Sequence, residues 1–363
     1  MIDLSTFDPT IPEGTEGEVT FQQAYDGNLV FGVRQLIFDG SFFVGLQAAR
    51  TFKELSTKDH IKQQIDVIEA VSKAYYTALV TKERLELLDV NFNRLDSLLK
   101  ETEVLFDAGF AEKIDVSRLK VQYNNLKVQL DNTREVLGLS YDLLKYQMGM
   151  PITEEVGLSD KLEEVRLDKI TESEFRYNDR IEYSQLQTNL ELTNLDVRNN
   201  KAQYLPNLYA NFNYGYNTQT SESSQWFTTD RWLNFGFVGI SLNVPIFDGF
   251  EKRSRIQQNK LQVQQIQNSF KLLENTINLE VRQAQVDINN ALDNMVAQKE
   301  NMDLARQVYD VTRIKFQEGV GSSTDVLEAD EDLKEAQTNY YNAVYDALIA
   351  KVDLQKAYGT LNQ

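Results

Sequence analysis

A chain of 363 residues with 37 basic and 55 acidic side chains carries a formal charge of −18, which argues against nucleic acid, whose phosphates require a basic surface. It contains no cysteine, so disulfides and thiolate metal sites are excluded as well. No run approaches 18 consecutive apolar residues, so no transmembrane helix is expected.

In chain order, residues 1–27 read as an acidic loop with Pro and Gly. They have neither the basic start nor the apolar core of a signal peptide, so if the protein is exported its signal lies outside this sequence. A strand-like run at 28–38 ends in Ile37-Phe38-Asp39-Gly40. Neither Gly nor Pro occurs from Leu46 to Ala108, which predicts one helix from Gly40 to Phe106. A glycine-containing turn at 107–115 leads to a second helix from Val116 to about Met148, stopped by Gly149. The turn is short, so the two helices must form an antiparallel hairpin.

A helix-like run follows at 180–203. Residues 205–219 then alternate Leu208, Ala210, Phe212, Tyr214 and Tyr216 against Tyr209, Asn211, Asn213, Gly215 and Asn217. After a polar loop, 232–247 alternates Ile240, Leu242 and Val244 against Ser241 and Asn243. Such alternation gives one apolar and one polar face. It suits a soluble sheet, and equally a transmembrane barrel strand of ~10 residues. Asn and Gly on the second face favour the barrel, and Trp226 and Trp232 beside the loop suit an interfacial aromatic belt.

From Phe250 to Glu318 Gly and Pro are again absent, and Leu261, Ile266, Phe270, Leu273, Ile277 and Val281 fall at largely three- and four-residue steps. A helix of this kind, ~65 residues and ~100 Å long, is the mark of a coiled coil. A turn at 317–325 and a last helix stopped by Gly359 complete the chain.

Residues 34–149 and 243–359 share landmarks. Ile37-Phe38-Asp39-Gly40 recurs as Ile246-Phe247-Asp248-Gly249 (246 − 37 = 209), and Gly109 and Asp115 recur as Gly319 and Asp325 (319 − 109 = 210). Gly149 recurs as Gly359 at the same offset. Three landmarks in register imply duplication. In each copy the aspartate (Asp39, Asp248) is placed to cap the helix that follows, and the glycine (Gly40, Gly249) to allow the strand-to-helix bend. The second copy is preceded by a helix and a strand that the first lacks, which points to an incomplete N-terminus.

The segments "QYLPNLYANFNYGY", "VGISLNVPIFDGFEKRSRIQQ", "FQEGVGSSTDVLEADEDLKEAQ" and "LQKAYGTLNQ", with the duplication, resemble the TolC-like outer-membrane efflux family over essentially the whole chain. The resemblance implies a mainly α fold with a small β part. Very long antiparallel helical hairpins would form a tunnel and transmembrane strands a barrel, three protomers together closing a twelve-stranded barrel. On it, residues 1–149 are a first repeat (extracellular loop 1–27, barrel strand 28–38, tunnel helices 40–149). Residues 150–180 are an equatorial linker, and 181–363 a second repeat (helix 181–203, barrel hairpin 205–247, tunnel helices 249–363).

The same resemblance places a periplasmic gate at Asp325 and Glu328, with Asp115 hydrogen-bonding across the closed tip. Gly109, Phe316, Gly319 and Gly321 fall in tip turns that meet an adaptor. Gly321 stands where the best-known members carry an arginine lock, and Phe316 lacks a hydroxyl that some members use, so closure here would rest on packing. The implied partners are two further copies of the chain, a periplasmic adaptor, an inner-membrane transporter and outer-membrane lipid. The place is the Gram-negative outer membrane, reaching into the periplasm, and the task is that of a passive exit duct for efflux or secretion.

No cofactor is implied, and no phosphate loop, nucleophile elbow or metal-spaced ligand set appears; His60, the only histidine, sits on a polar helical stretch. The rival from another class is a secreted coiled-coil or filament protein, which requires a β segment packed on its apolar side.

Overall fold

The structure is a computed structural model that describes residues 2–3, 10, 12–17, 24–160, 162 and 175–361. Much of the loop expected at 1–27, and residues 161 and 163–174 of the linker expected at 150–180, lie outside the described residues. The chain divides into two compact units, residues 1–51 with 191–263 and residues 52–190 with 264–363.

The first unit is built on strands. Strands β1 (Ile2–Asp3) and β2 (Glu16–Gly17) form a two-residue antiparallel ladder. Strands β3 (Tyr25–Phe38), β4 (Asn207–Thr220) and β5 (Leu233–Asn243) form an antiparallel sheet in the order β3-β4-β5. Beta-branched and aromatic residues supply the strand preference, and Pro206 and Pro245 bracket its lower end. The last pair there is Asn207 with Asn243. The run expected to continue to 247 therefore stops at Asn243, because Pro245 has no N–H to give a ladder. Near its end β3 carries one extra residue, since Leu36 pairs with Tyr209 but Phe38 with Leu208.

Five helices follow from the remaining runs: α1 (Gly40–Asp107), α2 (Lys113–Gln147), α3 (Ile181–Ala202), α4 (Glu251–Gln317) and α5 (Ser323–Tyr358). Helices α1 and α4 have 68 and 67 residues, and α2 and α5 have 35 and 36. Their length follows from the scarcity of breakers, which are confined to Gly40 and Gly45 at the start of α1 and Gly138 in α2, and their ends from four glycines in the left-handed region, Gly109, Gly149, Gly319 and Gly359.

In the second unit α5 is buried along its length. Toward the tips its Val326, Ala329 and Leu333 pack with Leu95 and Leu98 of α1, Leu119 and Leu126 of α2 and Tyr309 of α4. Further along, Ala347, Ala350 and Leu354 pack with Ile277, Val281 and Ile288 of α4. Each leucine side chain here contributes roughly 1.5–3 kcal/mol by leaving water.

Polar pairs set the register between these helices. Asn91 Nδ2 donates to Gln337 Oε1 at 2.9 Å in the buried layer. Arg94 meets Asp330 at 2.6 Å, and Lys334 meets the same carboxylate at 2.5 Å. Higher up, Lys356 meets Glu69 at 2.5 Å and Lys73 meets Asp353 at 2.6 Å. Arg180 anchors the chain entering α3, donating to the Ala357 carbonyl at 3.1 Å and to Glu280 at 2.9 Å. It also holds Glu182 at 3.1 Å. Burial raises the Glu182 pKa, but the Arg180 hydrogen bond, a backbone amide and nearby cations together leave it below the ordinary glutamate value.

Candidate functional site: helix tips, strand–helix corners and sheet face

The two connections between long helices are built alike. After α1, Phe110 N–H donates to the Leu105 carbonyl at 2.8 Å and Gly109 N–H to that of Phe106 at 2.9 Å. After α4, Val320 N–H donates to the Lys315 carbonyl at 2.9 Å and Gly319 N–H to that of Phe316 at 3.0 Å. These are paired Schellman bonds, and they need the φ of +82° at Gly109 and +73° at Gly319. Phe110 and Val320, the residues just beyond, are exposed by 84% and 77%. Sequence reasoning passed over both; the signal was an apolar residue directly after each turn glycine.

Phe316 turns inward and packs against the tip core. Gly321 lies under the last turn of α4, where a Cβ would stand 3.2 Å from the Phe316 nitrogen. A side chain there would press on backbone, which gives this glycine a local steric reason.

Asp115 and Asp325 occupy the same place on α2 and α5, three residues after each N-cap. Asp325 Oδ2 accepts from Ser322 N–H at 3.0 Å, and Ser322 Oγ accepts from Asp325 N–H at 3.1 Å. Asp115 Oδ2 accepts from Glu112 N–H at 3.2 Å. Each carboxylate thus completes a capping box at the positive end of its helix. The Ser322 backbone N–H, with its hydroxyl, holds the Asp325 pKa below the ordinary range. Glu328 is exposed on the next turn, so Asp325 and Glu328 share one face of α5. Helices α2 and α5 are tied beside these acids by Arg118 donating to Thr324 Oγ1 at 3.0 Å and by Gln122 donating to Glu331.

The strand–helix corners differ from one another. At the first, Asp39 Oδ1 accepts from the Ser41 N–H at 2.7 Å and from its hydroxyl at 2.5 Å. At the second, Asp248 Oδ2 accepts from Lys252 N–H at 3.2 Å. Gly249 makes its bend with φ +65°. Gly40 does not: it is the first residue of α1, and a Cβ there would fall 2.7 Å from Leu205 and 3.2 Å from the Ala202 carbonyl. Close approach, and not a left-handed turn, is what requires glycine at 40. Aromatic side chains crowd both corners in edge-to-face pairs, Phe42 with Phe43 and Phe247 with Phe250, all exposed. The sequence reading assigned no role to them, although each follows or forms part of the repeated tetrapeptide.

Strand register sorts the sheet into two unlike faces. One carries Phe31, Tyr214 and Gly236 in a row, then Val33, Phe212 and Val238, then Gln35, Ala210 and Ile240. Apolar residues dominate it, no charged residue stands among them, and Phe31, Val238 and Ile240 are exposed by 66%, 78% and 76%. The other face carries Gly32, Asn213 and Phe237, then Arg34, Asn211 and Gly239. There Arg34 lies 3.9 Å over the Tyr209 ring, and Asn211 donates to Ser241 Oγ at 2.7 Å. At the far end of the hairpin Trp226 and Trp232 stack edge to face at 6.1 Å, and Trp232 Nε1 donates to the Trp226 carbonyl at 2.9 Å. A filament protein would cover the apolar face; within this unit it is open.

Residues 182–360 match the family model described as outer membrane efflux protein. The chain is 22% identical over 334 residues to the outer membrane protein TolC of Vibrio cholerae, covering 91% of this chain and 76% of that protein. It is a homologue of the outer-membrane efflux proteins. A second relative, the alkaline protease secretion protein AprF of Pseudomonas aeruginosa, is 23% identical over 359 residues, 96% of this chain and 73% of its own. The solved outer membrane protein VceC of Vibrio cholerae superposes with a TM-score of 0.72 at 16% identity, over 95% of this chain and 84% of that one. The fold is therefore that of TolC-like channels, mainly helical with a small sheet. Among the described residues no helix is long and apolar enough to cross a membrane, and no group of three or more His, Cys, Asp or Glu is placed to hold a metal ion.

Proposed function

We propose that the protein is an outer-membrane channel, a passive exit duct for efflux or secretion. The observation that carries this reading is the two-faced sheet, whose open apolar face suits lipid and whose Asn- and Arg-bearing face suits a water-filled lumen. Trp226 and Trp232 at one end and the phenylalanine pairs at the other are the two aromatic girdles such a barrel carries. Three copies close the barrel and the helical tunnel, each chain giving two repeats with the boundaries set out above. An inner-membrane transporter supplies the energy through a periplasmic adaptor, which meets the tips at the exposed Phe110 and Val320 beside Gly109, Gly319 and Gly321.

Asp325 and Glu328 line the constriction, with Asp115 bonding across it, so three-fold symmetry produces rings of carboxylate that favour cations and repel anions. Opening is a switch between two packings of the helical tips. The test is single-channel recording of Asp325→Asn combined with Glu328→Gln. Asparagine keeps an oxygen for the Ser322 N–H, so the cap survives while the charge goes. Cation preference and block by multivalent cations are expected to fall, with the helix content unchanged. Conductance and block equal to those of the parent would remove these residues from the gate.

A further inference from the structure

The polar face of the β3-β4-β5 sheet holds one cation with nothing to neutralise it. By the strand register, Asp26 and Arg34 are the charged residues on that face among the described residues. They stand 34 − 26 = 8 residues apart on β3, about 26 Å at ~3.3 Å per residue. That is well beyond the ~8 Å over which exposed charges act at physiological salt, so Asp26 does not offset Arg34. Arg34 is itself exposed, and among the described residues it makes no ion pair.

The surroundings of Arg34 suit an acid group. Its guanidinium lies 3.9 Å over the Tyr209 ring, a contact that holds the group in place and leaves its edge donors free. Ser241 stands in the same row as Tyr209 and accepts from Asn211 at 2.7 Å, so its own O–H is left to donate beside the guanidinium. An apolar body has a place too. The row through Arg34 continues with Asn211 and Gly239, and Phe237 follows Gly239 on the same face of β5. Nothing lies within 4 Å of where a Gly239 Cβ would stand, and Phe237 is 56% exposed. Arg34 and Phe237 are two strands and one row apart, about 12 Å between Cα atoms. A two-ring aromatic acid bridges that span.

We propose that Arg34, Ser241 and Phe237 form a binding station for small amphipathic organic anions of the aromatic sulfonate and carboxylate class. Guanidinium and hydroxyl take the acid group, and the apolar body lies over Gly239 against Phe237. This inference rests on the channel reading and adds a substrate class to it. In a three-fold barrel the station recurs three times around the lumen, and a ring of arginines favours anions.

The test is single-channel recording of the whole chain in planar bilayers with 1-naphthalenesulfonate as the probe. The parent current is expected to be blocked, and Arg34→Gln should weaken the block about tenfold. Arg34→Lys keeps the charge without the forked donor and should recover part of it. Phe237→Ala should weaken block by naphthalenesulfonate severalfold while leaving the response to methanesulfonate unchanged, a split that general loss of structure would not give. Uncharged naphthalenemethanol should not block. A parent that conducts but is blocked equally with and without Arg34, or is not blocked at all, overturns this station and leaves the channel standing. A parent that carries no current overturns both.

Discussion

Replacing Asp330 with alanine is expected to destabilise the helical unit by about 3–5 kcal/mol, the cost of stranding a buried charge. Asp330 is 2% exposed and holds Arg94 at 2.6 Å and Lys334 at 2.5 Å, while Arg94 also lies 4.5 Å over the Tyr309 ring. Removing the carboxylate leaves the guanidinium between α1, α4 and α5 with its ring contact alone. The double replacement Arg94→Met with Asp330→Leu should recover most of the loss, because a buried pair exchanged for apolar side chains of similar volume is often neutral. The exposed pair of Lys299 and Asp303 provides the contrast: breaking it should cost about 0–1 kcal/mol. Thermal melting of the detergent-extracted protein measures all three. A melting point for Asp330→Ala equal to that of the parent would show that the ion pair does not set the α1–α5 register.

The second large effect concerns the sheet. Val238 sits midway along β5, in a row with Phe212 and Val33, and is 78% exposed. On a water-facing sheet, Val238→Arg would change stability by no more than about 0.5 kcal/mol. On a lipid-facing strand at mid-membrane it should cost about 2–4 kcal/mol and deplete the protein from the outer-membrane fraction. Asn213→Arg, on the opposite face and paired with Gly32 and Phe237, should insert like the parent. Equal yields of both variants would contradict the assignment of faces.

How much of this was legible beforehand follows from the range of the interactions involved. The long helices were, because their cause is local: no Pro lies within them, Gly is confined to the start of α1 and to Gly138 of α2, and Gly109, Gly149, Gly319 and Gly359 end them. The faces of β4 were also legible, since alternation from Leu208 to Asn217 is a property of consecutive residues. What escaped depended on distant partners. Nothing near Asp330 in sequence reveals Arg94, 236 residues away. The end of β5 at Asn243 depended on Pro245 and on β4 beginning just after Pro206. The repeated tetrapeptide suggested one role for both glycines, yet Gly249 turns the chain while Gly40 makes room for Leu205 and Ala202. At the tips, Asp115 and Asp325 were paired by the repeat and assigned to a gate only by resemblance; the capping boxes show that each has a local role, which is why a test of the gate must preserve the cap.

The most direct test of the central claim is a cysteine scan along β4 in intact outer membranes, read with a water-soluble, membrane-impermeant maleimide. Labelling is expected at Asn211→Cys, Asn213→Cys and Asn217→Cys, and not at Phe212→Cys or Tyr214→Cys, so that reactivity alternates with a period of two. Equal labelling of both sets would mean that the apolar face meets water and that the sheet is no part of a membrane channel.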